Sequence, residues 1–148
     1  MSNPRDPPLA LTHQIRDACL CLHVQRAARS LARRYDDALR PVALTNGQFS
    51  LLTSLHRVEA ASIGGIAALL AMDRTTLTAN LKPLERRGLV KVTVDPANKR
   101  GRLLTLTASG RALLAAALPL WRRAQAATER LIGESGADRL RAGLRALS

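Results

Sequence analysis

Arg74, Thr75, Thr76 and Thr78 stand together, Lys82 and Arg86 follow at helical spacing, and a second polar and basic group, Asn98, Lys99 and Arg100, comes soon after. These groups suit recognition of a polyanion with hydrogen-bonding edges rather than the making and breaking of bonds. Threonine hydroxyls can donate to or accept from base edges and phosphates, and their methyls can touch thymine methyls. Lys82 and Arg86 can neutralise phosphates, while Arg74 has the planar fork that pairs with guanine. Covalent chemistry lacks its parts: there is no phosphate-cradling glycine loop, no metal-ligand array and no nucleophile with a base and an orienting group. The expectation is therefore no enzyme, no catalytic residue, no cofactor and no metal.

The elements that would carry these side chains can be read in order. Asp73 can cap a helix that runs from about Arg74 to Arg87, and Gly88 tolerates the left-handed φ that ends one. At about 100° per residue, Leu77, Leu81 and Leu84 share one face and Thr75, Thr76, Ala79, Lys82 and Arg86 lie broadly opposite. Pro83 removes one internal hydrogen bond and predicts a bend. Upstream, Ser62 can cap a short helix with apolar positions Ile63, Ile66, Leu69 and Leu70. Downstream, Leu89 to Val94 and Arg102 to Leu106 alternate apolar and polar residues around a hairpin loop, residues 95–101, tipped by Lys99 and Arg100 with Arg102 behind them. Helix, break, helix and β-wing make a winged helix-turn-helix, so the fold class is mainly α with a small β-wing. A solvated amphipathic helix and a basic hairpin that merely aids solubility would use the same residues; their order favours reading of double-stranded DNA.

Whole-chain quantities point the same way. A chain of 148 residues suits one domain, residues 11–148, behind a loose tail at 1–10 that holds Pro4, Pro7 and Pro8. The net charge of +12 favours a polyanionic partner and strongly salt-dependent binding. Arginine and alanine are abundant throughout, yet Lys82, Lys91 and Lys99 are the chain's only lysines, and all lie in the reading helix or the wing. No secretory signal is evident and the longest apolar run, Ala112 to Leu118, is far short of the roughly 20 residues that cross a bilayer. The expectation is a cytoplasmic protein without membrane contact.

The flanks predict association. In a first helix, about Leu11 to Arg40, Leu20, Val24, Ala28, Leu31, Tyr35 and Leu39 form one long apolar stripe. Thr107 can cap a helix that passes Pro119 toward Leu131; a break at 133–136 precedes a last helix, about Ala137 to Leu147. One small winged lobe, residues 45–106, cannot cover that much apolar surface. Dimerisation helices at 11–40 and 107–148 follow, and two-fold symmetry would read a roughly palindromic site with half-sites about one helical turn apart. A monomer with an ordinary helical core is the other arrangement.

From about Cys19 to Leu114 the chain resembles regulators of the multiple antibiotic resistance (MarR) family. The resemblance rests on Leu44-Thr45-Asn46-Gly47-Gln48-Phe49, Asp73-Arg74-Thr75-Thr76-Leu77-Thr78, Leu84-Glu85-Arg86-Arg87-Gly88-Leu89-Val90, the wing, and Leu106-Thr107-Ala108-Ser109-Gly110. It implies a homodimer whose first and last helices interlock. At the wing tip it implies Asp-x-Arg, with an arginine in the minor groove oriented by the aspartate; Arg100 matches the arginine, and Asn98 stands where the aspartate would be. Such proteins are mostly repressors, relieved by a small aromatic or phenolic ligand bound between the dimer helices and the DNA-reading lobes. With Tyr35, Phe49 and Trp121 as the only aromatics, a pocket here is expected to be mostly aliphatic, and Phe49 and Tyr35 are expected in the core or dimer contact rather than as ligand walls.

Cysteine offers a second trigger. Cys21 falls where the organic hydroperoxide sensors of this family carry their reactive thiol, and Tyr35 matches a tyrosine that contacts it from the other subunit. Asn46 and Gln25 occupy two further tyrosine positions of that pattern. A buried, inert cysteine is the alternative. On one helix, Cys19 and Cys21 would point about 200° apart, against an internal disulfide, and Cys19 would share a face with His23 without the further ligands a metal needs. The competing functional class is an architectural winged helix that binds DNA without sequence choice or effector.

Overall fold

The structure, a computed structural model, describes residues 6–133 and 135–148. Of the expected tail, residues 1–5 lie outside the described residues, and helix begins at Leu9 rather than Leu11. The chain divides into two compact units, one up to Arg34 and the other Tyr35–Ser148.

The first unit holds helix α1 (Leu9–Ala18) and most of α2 (Leu20–Leu39). A single helix over 11–40 was expected; Cys19, extended at φ −68° and ψ 109°, interrupts it. The break is locally satisfied. Cys19 donates its N–H to the Ile15 carbonyl, accepts from the His23 N–H through its own carbonyl, and accepts the Leu22 N–H through Sγ at 3.5 Å. The sulfur takes the place of a capping oxygen. His23 therefore meets Cys19 at its carbonyl, with Nδ1 2.8 Å away, rather than at its thiol. Leu9, Leu11, Ile15, Leu20 and Val24 remain exposed.

The second unit starts with the last turn of α2 and a 3-10 connector, Arg40–Val42, closed by Ala43 in the left-handed region. Then come α3 (Asn46–Ser54), β1 (Ala61–Ser62), α4 (Ile63–Leu69), α5 (Arg74–Arg86), β2 (Val90–Asp95), β3 (Asn98–Leu106), α6 (Ala108–Arg130) and α7 (Gly136–Ala146). The helix starts follow from capping side chains: Thr45 with Gln48 in a reciprocal box, Ser62, Asp73 and Thr107. At the other end of α5, the Leu89 N–H bonds the Leu84 carbonyl and the Gly88 N–H bonds that of Glu85. With Gly88 at φ +69°, this is the Schellman closure that the glycine predicts. Pro83 leaves α5 continuous.

The sheet order is β1-β3-β2, all antiparallel, with Ala61 opposite Leu104 and Val90 opposite Leu106. Leu39, Leu51, Leu52, Leu55, Ile66, Leu77, Leu84 and, from β3 itself, Leu104 are fully buried. Each contributes roughly 1.5–3 kcal/mol relative to an exposed side chain. Leu77, Leu81 and Leu84 thus turn inward as their spacing requires, and the opposite face of α5 stays outside. In α4, Ile66 is buried while Leu69 is exposed. Phe49 of α3 stacks on Trp121 of α6, centroids 6.3 Å apart.

Candidate nucleic-acid interface

Arg74, Thr75, Thr78, Ala79 and Lys82 line a shallow hollow of about 390 Å³. The start of α5 is set by Asp73, whose Oδ1 accepts the Thr76 N–H at 2.7 Å. The other carboxylate oxygen accepts the Thr76 hydroxyl at 2.8 Å. These bonds, the backbone one first, hold the Asp73 carboxyl below the usual carboxylate range. They also set Thr76 apart from its neighbours, because its hydroxyl proton serves the cap. Arg86 lies exposed at the far end of the helix. Arg74 reaches back over α4: a Cβ on Gly64 would stand 3.4 Å from its guanidinium.

The wing is tighter than its sequence predicts. The alternation of residue types placed a loop at 95–101, yet pairing continues to Asp95 opposite Asn98, so the turn itself is Pro96-Ala97. The next pair is Val94 with Arg102, so Lys99, Arg100 and Gly101 have no residue opposite them and bulge from the edge. Two Asx turns shape the tip: Asp95 Oδ1 accepts the Ala97 N–H at 2.9 Å, and Asn98 Oδ1 accepts the Arg100 N–H at 3.2 Å. Gly101 fits closely in the bulge, since a Cβ there would lie 3.1 Å from the Asn98 carbonyl oxygen. Arg102, which the sequence offers as a further phosphate contact, instead donates to the carbonyls of Lys99 at 3.3 Å and Gly101 at 3.0 Å. Lys99 and Arg100 are exposed. Among the described residues, none of Arg74, Lys82, Arg86, Lys99 and Arg100 forms an ion pair.

Other arginines near this surface are structural, a role that residue type alone does not reveal. Arg87 donates to the carbonyls of Ala43 at 2.6 Å and Val42 at 3.3 Å, and Arg111 to that of Leu106 at 3.0 Å.

Away from that face, Tyr35, Leu39, Asn46, Phe49, Ser50 and Trp121 line a cavity of about 210 Å³. The chain's single tyrosine, phenylalanine and tryptophan therefore meet in one place. Phe49 is both core and cavity wall. Asp36 holds this region from α2, accepting the backbone N–H of Asn46 at 2.6 Å and its side-chain N–H at 2.8 Å. The Tyr35 hydroxyl donates to Gln125, whose amide donates to Glu129 at 2.8 Å; Arg141 of α7 pairs with Glu129 at 2.9 Å. Asp36, Gln125 and Glu129 carry no signal in sequence, because their partners are distant along the chain. Cys21 is exposed and accepts from the Gln25 amide at 3.2 Å. No helix among the described residues is long and apolar enough to cross a membrane.

The MarR family profile matches residues 44–101, from the start of α3 to the wing bulge. The Mycobacterium tuberculosis transcriptional regulator MosR, solved in complex with DNA, is 41% identical over 87% of this chain and 92% of its own, with a TM-score of 0.78. The transcriptional repressor CouR, solved on a 23-mer DNA duplex, is 31% identical over 90% of this chain and 94% of its own, with a TM-score of 0.80. The regulator TtmR of Methylorubrum extorquens is 36% identical over 74% of this chain and 53% of its own. The chain spans about half the length of the curated relatives it matches. Capped α4–α5 pair, antiparallel wing and similarity to MosR over most of both chains agree, and the chain belongs to the MarR family of winged helix-turn-helix transcriptional regulators.

Proposed function

We propose that the protein is a homodimeric repressor that binds a pseudo-palindromic operator in double-stranded DNA. The observation that carries this reading is the pairing of the α5 hollow with a bulged wing tip whose Lys99 and Arg100 form no ion pair among the described residues. Arg74, Thr75, Thr78 and Lys82 read and position in the major groove, Thr76 holds the helix start, Arg86 meets phosphate, and Lys99 and Arg100, set by Asn98, enter the minor groove. Residues 45–106 are the DNA-binding lobe; residues 11–40 and 107–148 are the dimerisation helices. Exposed Leu131, Ile132, Leu140, Leu144 and Leu147 favour burial against a second copy. MosR and CouR were both solved on DNA, and CouR is described as a repressor.

The test is competition between a duplex that the protein enriches from a random-sequence pool and a scrambled duplex of equal composition. A regulator prefers the first by at least about 10³; an architectural binder prefers neither. For the effector, the aromatic cavity favours a small organic ligand, which acts by preferring one lobe arrangement over the other. Exposure of Cys21 favours a second reading, release by thiol oxidation, with Tyr35 as the matching tyrosine.

A further inference from the structure

We infer that Arg87 is a positioning residue for DNA reading: a strut that fixes the tilt of α5 by joining its end to the α2–α3 connector. The inference rests on the reading of α5 as the helix that discriminates sequence.

Arg87 is the C-cap of α5, with φ −80° and ψ 0°, and the Schellman bonds of Gly88 and Leu89 root its backbone. Its guanidinium fork then meets the carbonyl oxygens of Val42 and Ala43, one nitrogen to each. Ala43 is itself the C-cap of the 3-10 connector, held at φ 52°. Carbonyls at such an end lack helical partners and carry partial negative charge, so they suit a fixed, planar cation. One side chain thus joins two helix ends 44 residues apart in sequence.

Its neighbour defines the contrast. Arg86 and Arg87 are both exposed and neither forms an ion pair among the described residues, so the difference lies in what their donors meet. Arg87 gives its donors to the main-chain oxygens of Ala43 and Val42, and a phosphate would have to compete for them. Base contacts depend on helix orientation, whereas non-specific phosphate attraction depends mainly on charge. Loss of the strut should therefore damage discrimination and spare background affinity.

The test uses the full chain with the enriched and the scrambled duplex over a salt series. Arg87→Ala is expected to weaken the enriched duplex about tenfold, since two charge-assisted bonds are lost. It should leave the scrambled duplex within about twofold of wild type, and the slope of log affinity against log salt unchanged. Arg87→Lys keeps the charge but not the fork, and should restore only part of the loss. Equal weakening on both duplexes with a slope smaller by about 0.9 would make Arg87 a phosphate contact and overturn the inference. Wild-type affinity in Arg87→Ala would overturn it as well. Circular dichroism checks folding; should Arg87→Ala not fold, Arg87→Gln, which keeps an N–H donor without charge, takes its place on both duplexes, and the same two results would overturn the inference. If the wild type enriches no duplex, the DNA reading falls and carries this inference with it. That result differs from a wild type that discriminates and an Arg87→Ala that does so equally well.

Discussion

Asn98 Oδ1 accepts the main-chain N–H of Arg100 at 3.2 Å, so the residue where the family pattern has aspartate still shapes the turn that presents the wing arginine. The bond is made without charge assistance and acts on the backbone of Arg100. Asn98 therefore works through Arg100. Arg100→Ala is expected to weaken duplex binding about tenfold and to lower the salt slope by about 0.9, and Asn98→Ala to weaken it about threefold. In a double-mutant cycle, Asn98→Ala should add nothing once Arg100 is gone. Additive losses would place Asn98 on DNA directly, and a wild-type slope in Arg100→Ala would remove the wing from the contact.

Asp73 gives a pH signature. Bonds from Thr76 favour its ionised form, so its folded-state pKa lies below the value in the unfolded chain. The sign follows: the capping contribution is complete above the unfolded-state pKa and disappears as pH falls through the folded-state value. Asp73→Asn keeps an acceptor but cannot titrate, and its stability should fall less steeply than wild type between about pH 5 and 2, measured by thermal melts. Asp73→Ala should lower the Tm by a few degrees at neutral pH. Parallel acid limbs for wild type and Asp73→Asn would rule the cap out as the source.

How much of this was legible depended on distance along the chain. Ser62, Asp73, Thr107 and Gly88 act on residues within a turn, so their identities announced α4, α5 and α6 and the end of α5 correctly. Leu77, Leu81 and Leu84 showed the inner face by period alone. The wing was found but drawn too loose, because Lys99, Arg100 and Gly101 break the alternation that marks a strand while pairing resumes beyond them. No glycine or proline signals the break at Cys19, where a sulfur accepts in place of an oxygen. The carbonyl partners of Arg87 and Arg102 stayed hidden because a cation shows its charge in sequence and not what its donors meet. The three aromatics converge from α2, α3 and α6, a juxtaposition that only the fold makes.

Gly110 is required where α6 leaves the wing. A Cβ there would stand 2.2 Å from the Leu89 carbonyl oxygen and 2.7 Å from Leu106 Cδ1. Thr107 fixes the approach, its hydroxyl bonding the Gly88 carbonyl at 2.7 Å while accepting the Gly110 N–H at 3.0 Å. The first obstacle is backbone, so relief requires α6 to move. Gly110→Ala should cost about 3 kcal/mol in urea unfolding, the upper range for overpacking. An unchanged midpoint would show that the helix and wing root separate freely.

The thiol reading makes a separate demand. Cys21 is accessible, and attack of its thiolate on an organic hydroperoxide would give a sulfenic acid and release the alcohol. On this reading, stoichiometric peroxide lowers wild-type affinity for the enriched duplex at least tenfold, and Cys21→Ser binds normally and ignores peroxide. Equal sensitivity in Cys21→Ser would exclude Cys21 as the sensor.

The aromatic cavity supplies its own reporter. Trp121 is the chain's single tryptophan and packs against Phe49 on the cavity wall, so its fluorescence should respond to any occupant. At about 210 Å³ the space is smaller than the roughly 300–1,000 Å³ of drug-sized sites, which points to one-ring compounds. A panel of single-ring phenolic acids is expected to include one that quenches Trp121 saturably and weakens duplex binding by about 5- to 150-fold, the usual range of allosteric coupling. Linkage then requires the duplex to weaken that acid by the same factor. Trp121→Phe, which keeps an aromatic wall, should preserve the effect on DNA while abolishing the signal. Saturable quenching with unchanged duplex affinity would make the cavity a binding site without regulatory force, because a ligand that does not distinguish two conformations cannot shift them.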